Sequence, residues 1–365
     1  MLVASLAIVV ACATRLSAQT LAPSHARTGA ELFRDGCVAC HGADGRGAPA
    51  AQLGFDTPLP DFTECDFATP EPDSDWIAII HQGGPARAFS RRMPAFQELL
   101  ADDEIERLVR YLREFCTETA WPRGDLNFPR ALFTEKAFPE NEALVTTTIN
   151  RGAEAALGND FLYEHRLGAR SQYEVNVPFD VQKSGGSWGR GLGDVTVAFK
   201  HVLFHDIDQG AIVSAGSELL LPTGDEGRGL GKGVTVFEPF LAYGQMLPSD
   251  SFVQLHTGIE LPTKSTKANR EAFVRLALGK TYMRGAWGRS WTPTVEVLAA
   301  RELASGEPTL WDVVPQMQVT LSRRQHIMIS GGVRLPVNER GERRAQVVAY
   351  FLWDWFDGGL FEGWR

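Results

Sequence analysis

From about residue 142 onward, apolar and polar residues alternate with period two, the repeat of a β-strand that buries one face. In "VQLHTGIEL", Val253, Leu255, Thr257, Ile259 and Leu261 share one face and Gln254, His256, Gly258 and Glu260 the other. In "VPQMQVTLS", Pro315, Met317, Val319 and Leu321 lie opposite Gln316, Gln318 and Thr320. Twelve such runs lie near 142–151, 160–167, 171–180, 194–204, 211–221, 234–246, 251–261, 272–283, 291–301, 311–321, 326–336 and 345–356. Nearer the N-terminus the period is helical. "LADDEIERLVRYLREF" (100–115) sets Ile105, Leu108, Val109 and Leu112 on one stripe, with Asp102 or Asp103 as its start cap and arginines near its end. "TGAELFRDG" predicts a second helix with Leu32 and Phe33 on its apolar face. A proline-bearing linker, 119–141, separates the two regimes.

Alternation fits a sandwich and a membrane barrel alike. Most runs are about 9–13 residues long, which matches the ~9–11 tilted residues that cross a bilayer. Their number is even, and long connections ("QKSGGSWGRGLG", "TGDEGRGLGKG", "TKSTKANRE", "NERGERR") alternate with short ones ("GAR", "DIDQG", "PSD", "RRQ"). Trp287, Trp291, Trp311, Trp353, Trp355, Phe240 and Tyr243 fall near run ends, where interfacial girdles form. Together these signs predict an antiparallel transmembrane barrel of about 12 strands over 142–356, with a tail over 357–365. The short turns and both termini then share the periplasmic side, and the folded front domain stays outside a lumen too narrow for it. Pro178, Pro239, Pro293 and Pro315 argue the other way, because each removes a ladder hydrogen bond. A secreted β-sandwich is the alternative. Glu218, Glu238, His256, Glu260, Arg275, Glu296 and Arg334 lie on the polar faces, and in a barrel they line the lumen as paired charges that plug it or as a water-filled path.

The chemistry is concentrated in the front. Cys37-Val38-Ala39-Cys40-His41 spaces two thiols to add to both vinyl groups of one haem and sets an imidazole under its iron. No second CxxC is present to complete a zinc site. The remaining axial position calls for a thioether or a second imidazole. Met93, in "RRMPAFQ", is the one methionine between the N-terminal apolar run and residue 246; His81 is the rival. One covalent haem c is therefore the implied cofactor, with Cys37, Cys40, His41 and Met93 as its site.

Charge and cysteine usage narrow the setting. A net charge of −9 argues against nucleic acid as a partner. Residues 1–18, "MLVASLAIVVACATRLSA", have the shape of a signal peptide cleaved after Ala18, while "VVAC" offers Cys12 as an alternative lipidation site. After Cys12, Cys37 and Cys40 are assigned, Cys65 and Cys116 are left in an oxidising compartment as a candidate disulfide. Nucleophile–base pairs, phosphate loops and zinc constellations are not evident, so an electron-transfer protein is expected rather than an enzyme.

The order of first helix, CxxCH, Met-Pro loop and final helix over 25–118 resembles a class I c-type cytochrome. That resemblance implies an all-α domain in which Gly29 and Phe33 cross against Tyr111. "GLGDVTVAFKHVLF" (191–204) resembles a strand motif of phenol-degradation-type outer-membrane transporters. The whole chain resembles a cytochrome–porin fusion. This implies a two-domain, outer-membrane monohaem cytochrome with its haem domain in the periplasm. Its partners would be outer-membrane lipid, periplasmic redox proteins, and a donor or acceptor at or across the outer membrane, including an extracellular one. The alternatives are a small-molecule transport barrel with a haem sensor or docking domain, and a soluble periplasmic cytochrome with a β-sandwich.

Overall fold

The structure, a computed structural model, describes residues 26–49, 53–54, 59–150, 156–184, 187–283, 289–341 and 343–355. The expected signal peptide with Cys12, Trp287 and the tail 357–365 lie outside these residues. Among the described residues, five α-helices form the front domain: α1 (Gly29–Gly36), α2 (Val38–His41), α3 (Cys65–Ala68), α4 (Asp73–Gln82) and α5 (Asp102–Arg113). Thr28 caps α1: its hydroxyl accepts from the Glu31 N–H at 3.2 Å, and the Glu31 carboxylate accepts from the Thr28 N–H at 2.8 Å. The start of α5 differs from its sequence reading. Ala101 holds the cap position, Asp102 and Asp103 lie in the first turn, and the Glu104 carboxylate reaches back to the Ala101 N–H at 3.1 Å.

Helices α1 and α5 cross at Gly29, where a Cβ would come within 2.4 Å of the Arg107 carbonyl, so only glycine allows the approach. Phe33 then packs on Tyr111 with ring centroids 5.5 Å apart. Leu32, Phe33, Phe62, Trp76, Ile80, Ile105, Leu108 and Leu112 form the core. Cys65 and Cys116 are joined in a disulfide, with Cα atoms 5.2 Å apart.

The rest is one antiparallel sheet: β1 (Glu142–Asn150), β2 (Ala156–Leu167), β3 (Ser171–Ser184), β4 (Ser187–Leu192), β5 (Thr196–Asp206), β6 (Ala211–Leu220), β7 (Val236–Leu247), β8 (Ser251–Pro262), β9 (Glu271–Lys280), β10 (Tyr282–Met283), β11 (Ser290–Glu302), β12 (Leu310–Thr320), β13 (Ile327–Pro336) and β14 (Gln346–Asp354). The short β4 pairs with β3 beyond the point where β5 leaves it, and β10 continues β9. The other twelve are the staves of a closed barrel, in which β14 pairs with β1 from Glu142↔Asp354 to Asn150↔Gln346. Each stave coincides with one alternating run of the sequence. Much of the expected long connection "QKSGGSWGRGLG" is instead the β3–β4 hairpin.

Burial is inverted relative to a water-soluble sheet. Phe161 and Leu203, on the outer face, are 51% and 54% exposed, whereas Glu164, Lys200 and Glu296 on the inner face are at most 1% exposed. A sandwich buries the apolar face; this barrel presents it outward, as a surface in lipid must. That rules out the sandwich alternative. Trp291 and Trp311 are exposed on the outer face, but Phe240, expected in the girdle, is buried and meets His256 in the lumen with ring centroids 5.1 Å apart.

The four in-strand prolines sit where a ladder is interrupted. Pro178 marks the gap between β4 and β5 on the partner side of β3. Pro239 falls where β7–β8 pairing lapses between Phe237↔Leu261 and Phe240↔Gly258. Pro315 falls where β12–β13 pairing lapses between Val313↔Leu335 and Gln316↔Gly332. Pro293 lies one residue before β11–β9 pairing begins at Thr294↔Gly279. A residue without an N–H costs least where the partner strand makes no use of it.

Candidate functional site

Two cavities meet at one mouth of the barrel, the mouth that carries the short turns and both ends of the sheet. The first, of about 440 Å³, lies in the helical domain and is lined by Phe33, Phe62, Trp76, Ile80, Leu108 and Met93 together with Cys37, Cys40 and His41. Helix α1 delivers the motif, since Cys37 N–H bonds to Phe33 O at 2.8 Å and His41 N–H to Cys37 O at 2.9 Å. The chain then folds back, with Gly47 N–H on His41 O at 2.8 Å; Gly42 and Gly47 take φ of +72° and +81°, which favours glycine. Opposite them, Met93 is pinned by Gly84 N–H on its carbonyl at 3.1 Å.

The chemical state of these groups suits a covalent haem. The His41 ring stacks on Phe62 with centroids 5.1 Å apart, and its Nδ1 is buried without a hydrogen-bond partner. Burial holds its pKa below the usual imidazole range, so a neutral ring with a lone pair faces the site. Burial, aided by the neighbouring Cys40, pushes the Cys37 thiol up to about 11. Two free thiols, a neutral imidazole and a thioether thus line one largely apolar cleft, the donor set that a covalent haem needs. His81 does not line it; its Nε2 lies 3.7 Å from Asp102 Oδ1 instead.

Residues 24–112 match the family model described as "Cytochrome C oxidase, cbb3-type, subunit III". Residues 24–112 form a c-type cytochrome domain. The match spans that domain and stops before the barrel. For the whole chain, no curated relative matches. Among solved structures, an outer membrane channel from Pseudomonas putida F1 is 11% identical, covers 62% of this chain and 100% of its own, and has a TM-score of 0.42. The KdgM porin is 9% identical, with 59% and 99% coverage and a TM-score of 0.39. The NanC porin is 10% identical, with 58% and 98% coverage and a TM-score of 0.39. The barrel itself rests on the strand pairing and inverted burial described above.

The second cavity is the lumen, and the chain fills much of it. Residues 127–141, within the expected linker, run inside the barrel and hydrogen-bond to ten of its twelve staves. The Leu132 and Thr134 N–H groups bond to the Glu296 carboxylate at 3.0 and 2.7 Å, and Glu140 N–H bonds to Gln172 Oε1 at 2.7 Å. Gln254 Nε2 donates to Pro129 O at 2.9 Å and the Tyr350 hydroxyl to Arg130 O at 2.7 Å. Arg130 bonds to Glu142 at 2.6 Å and also to Glu164; Lys200 bonds to Glu135 at 2.5 Å. Of the polar-face residues expected in the lumen, Glu296, Arg275 and His256 hold the plug directly, Arg275 through Phe133 O at 3.0 Å and His256 Nδ1 by accepting from the Glu135 N–H at 3.4 Å. Arg334 lies over the Phe133 ring at 5.3 Å and pairs with Asp312 at 2.7 Å, and Glu260 pairs with Lys232 at 2.7 Å.

Plug and cytochrome domain are buttoned together. Arg113 stacks on Trp76 at 4.1 Å and donates to Asp73 at 2.9 Å, while Arg123, four residues before the plug, bonds to the same Asp73 at 2.5 Å. Gly124 packs so close to Pro70 O that a Cβ would lie 1.8 Å from it.

Proposed function

We propose that this protein is a monohaem c-type cytochrome anchored in the outer membrane by a plugged barrel, with the cytochrome domain on the periplasmic side. It exchanges single electrons with periplasmic carriers. The observation that supports an anchor over a transport channel is the plug: residues 127–141 place their own backbone and paired charges where a solute would pass.

Cys37 and Cys40 are the residues that would bind the haem covalently, and His41 and Met93 the ones that would hold its iron. Bound there, a c-type haem supplies a one-electron couple. The chain contributes the setting. Phe33, Phe62, Ile80 and Leu108 exclude water, and the Gly84–Met93 hydrogen bond fixes the thioether against the imidazole side. One haem at the mouth does not bridge an apolar band about 25 Å tall, so a donor or acceptor outside must bring its own redox group.

Reconstitution into a planar bilayer tests this reading. The haem-bearing protein should titrate as a single one-electron centre and give only background conductance. Steady solute conductance through the intact protein would replace the anchor with the transport reading, the haem domain then acting as sensor or docking module.

A further inference from the structure

Resting on the haem assignment above, we infer that the barrel positions the iron's sulfur ligand: Gln325, on the turn between β12 and β13, braces the loop that presents Met93. The two sides of the cleft are held differently. His41 is fixed from within the cytochrome domain, by its N–H on Cys37 O and by Gly47 N–H on its own carbonyl. Met93 ends a loop, residues 83–93, that closes on itself. Gly84 N–H bonds to Met93 O at 3.1 Å, Phe89 N–H to Gly84 O at 2.9 Å and Met93 N–H to Ser90 O at 3.3 Å. Inside this loop Ala88 takes a φ of +58°, a strained backbone for a residue with a Cβ.

The side chains on both sides of Ala88 lead to the barrel. Arg87 is buried and donates through Nε to Asp75 Oδ1 at 2.9 Å; Gln325 Nε2 donates to the same oxygen at 3.0 Å. Phe89 lies under the Arg324 guanidinium, 4.2 Å from it. The loop is thus gripped at Arg87 through Asp75 and at Phe89 directly, by successive residues of one barrel turn. His326 fastens that turn in place: its Nε2 lies 3.3 Å from Glu71 Oε1, and its Nδ1 meets Asp354 at the end of β14. Groups behind a metal ligand set how firmly that ligand is presented. A thioether brings no charge to the iron, so its hold depends on how little ordering its loop still has to undergo. Seating on the barrel and the redox poise of the iron are then linked, because methionine ligation raises the potential.

The full chain in detergent tests the proposal, with imidazole as a probe that competes with Met93 for the oxidised iron. Gln325→Gly deletes the amide at a position whose φ of +64° suits glycine, so the turn itself is not weakened. Gln325→Ala is a second variant should the first fail to assemble. Either should keep its haem stain and its gel shift, bind imidazole about tenfold more tightly and lose intensity in the Fe(III)–sulfur charge-transfer band. In a Met93→Ala background the same substitution should leave the imidazole affinity unchanged within about twofold, because the thioether it acts through is gone. Wild-type imidazole affinity in a Gln325 variant that retains its haem overturns the proposal and leaves the haem assignment standing. So does an equal tightening with and without Met93. Wild-type protein with no covalent haem overturns both.

Discussion

The two cavities differ in what the chain does with them. In the cytochrome domain the walls are apolar, the reactive side chains converge, and a cleft of about 440 Å³ is kept. In the barrel the walls are charged, and residues 127–141 pass through and pair with many of the inward groups, among them Glu142, Glu296, Gln172 and Lys200. Apolar walls with a few convergent ligands are what a macrocycle needs. A lumen of buried carboxylates and ammonium groups is stable only when those groups are paired. The first cavity is therefore suited to receive a group, while the chain itself occupies much of the second; on the reading proposed above, the barrel is a base for the cytochrome domain.

The strongest way to separate the two is to remove the thiols. The Cys37→Ser/Cys40→Ser pair should abolish haem staining completely while the barrel retains heat-modifiable migration on a gel; loss of both would mean that the barrel depends on the haem domain to fold. Next, Met93→Ala should lower the midpoint potential and abolish the Fe(III)–sulfur charge-transfer band. An unchanged oxidised spectrum would assign the iron to His81. In the lumen, Lys200→Ala leaves Glu135 without its bond at 2.5 Å, and should cost about 3–5 kcal/mol, measured as a lower temperature for the gel shift. A change of under about 1 kcal/mol would show that water reaches this pair and that the plug is loose. Smaller still is Leu241→Arg on the outer face, expected to cost about 2–4 kcal/mol near mid-bilayer. A neutral effect there would mean that this face meets water.

Legibility followed sequence distance. The alternation of "VQLHTGIEL" and its eleven counterparts was readable because period two is a local property, and each run became a stave. The CxxCH spacing is equally local. The prolines misled only in isolation. Pro239 and Pro315 oppose a closed barrel until the register shows that the neighbouring ladder lapses beside them. The plug was hidden because "LNFPRALFTEKAFPENE" has the prolines of a linker; the signals in it, Arg130, Lys136 and Glu140 spaced among phenylalanines, acquire meaning only against Glu142, Glu164 and Gln172. Arg324 was read only as part of the short turn "RRQ", and His326 only as the start of the run 326–336. Gln325 and Asp75 are 250 residues apart, and no local pattern announces that contact. The start of α5 is a smaller case, in which several acids in a row left the cap position open and Ala101 took it.

On the reading proposed above, one polypeptide holds a covalent haem and closes on itself in lipid. Outer membranes should therefore yield a haem-stained band that changes mobility on boiling and needs detergent for release. Release of the intact haem-bearing chain by salt or alkali alone would contradict the account.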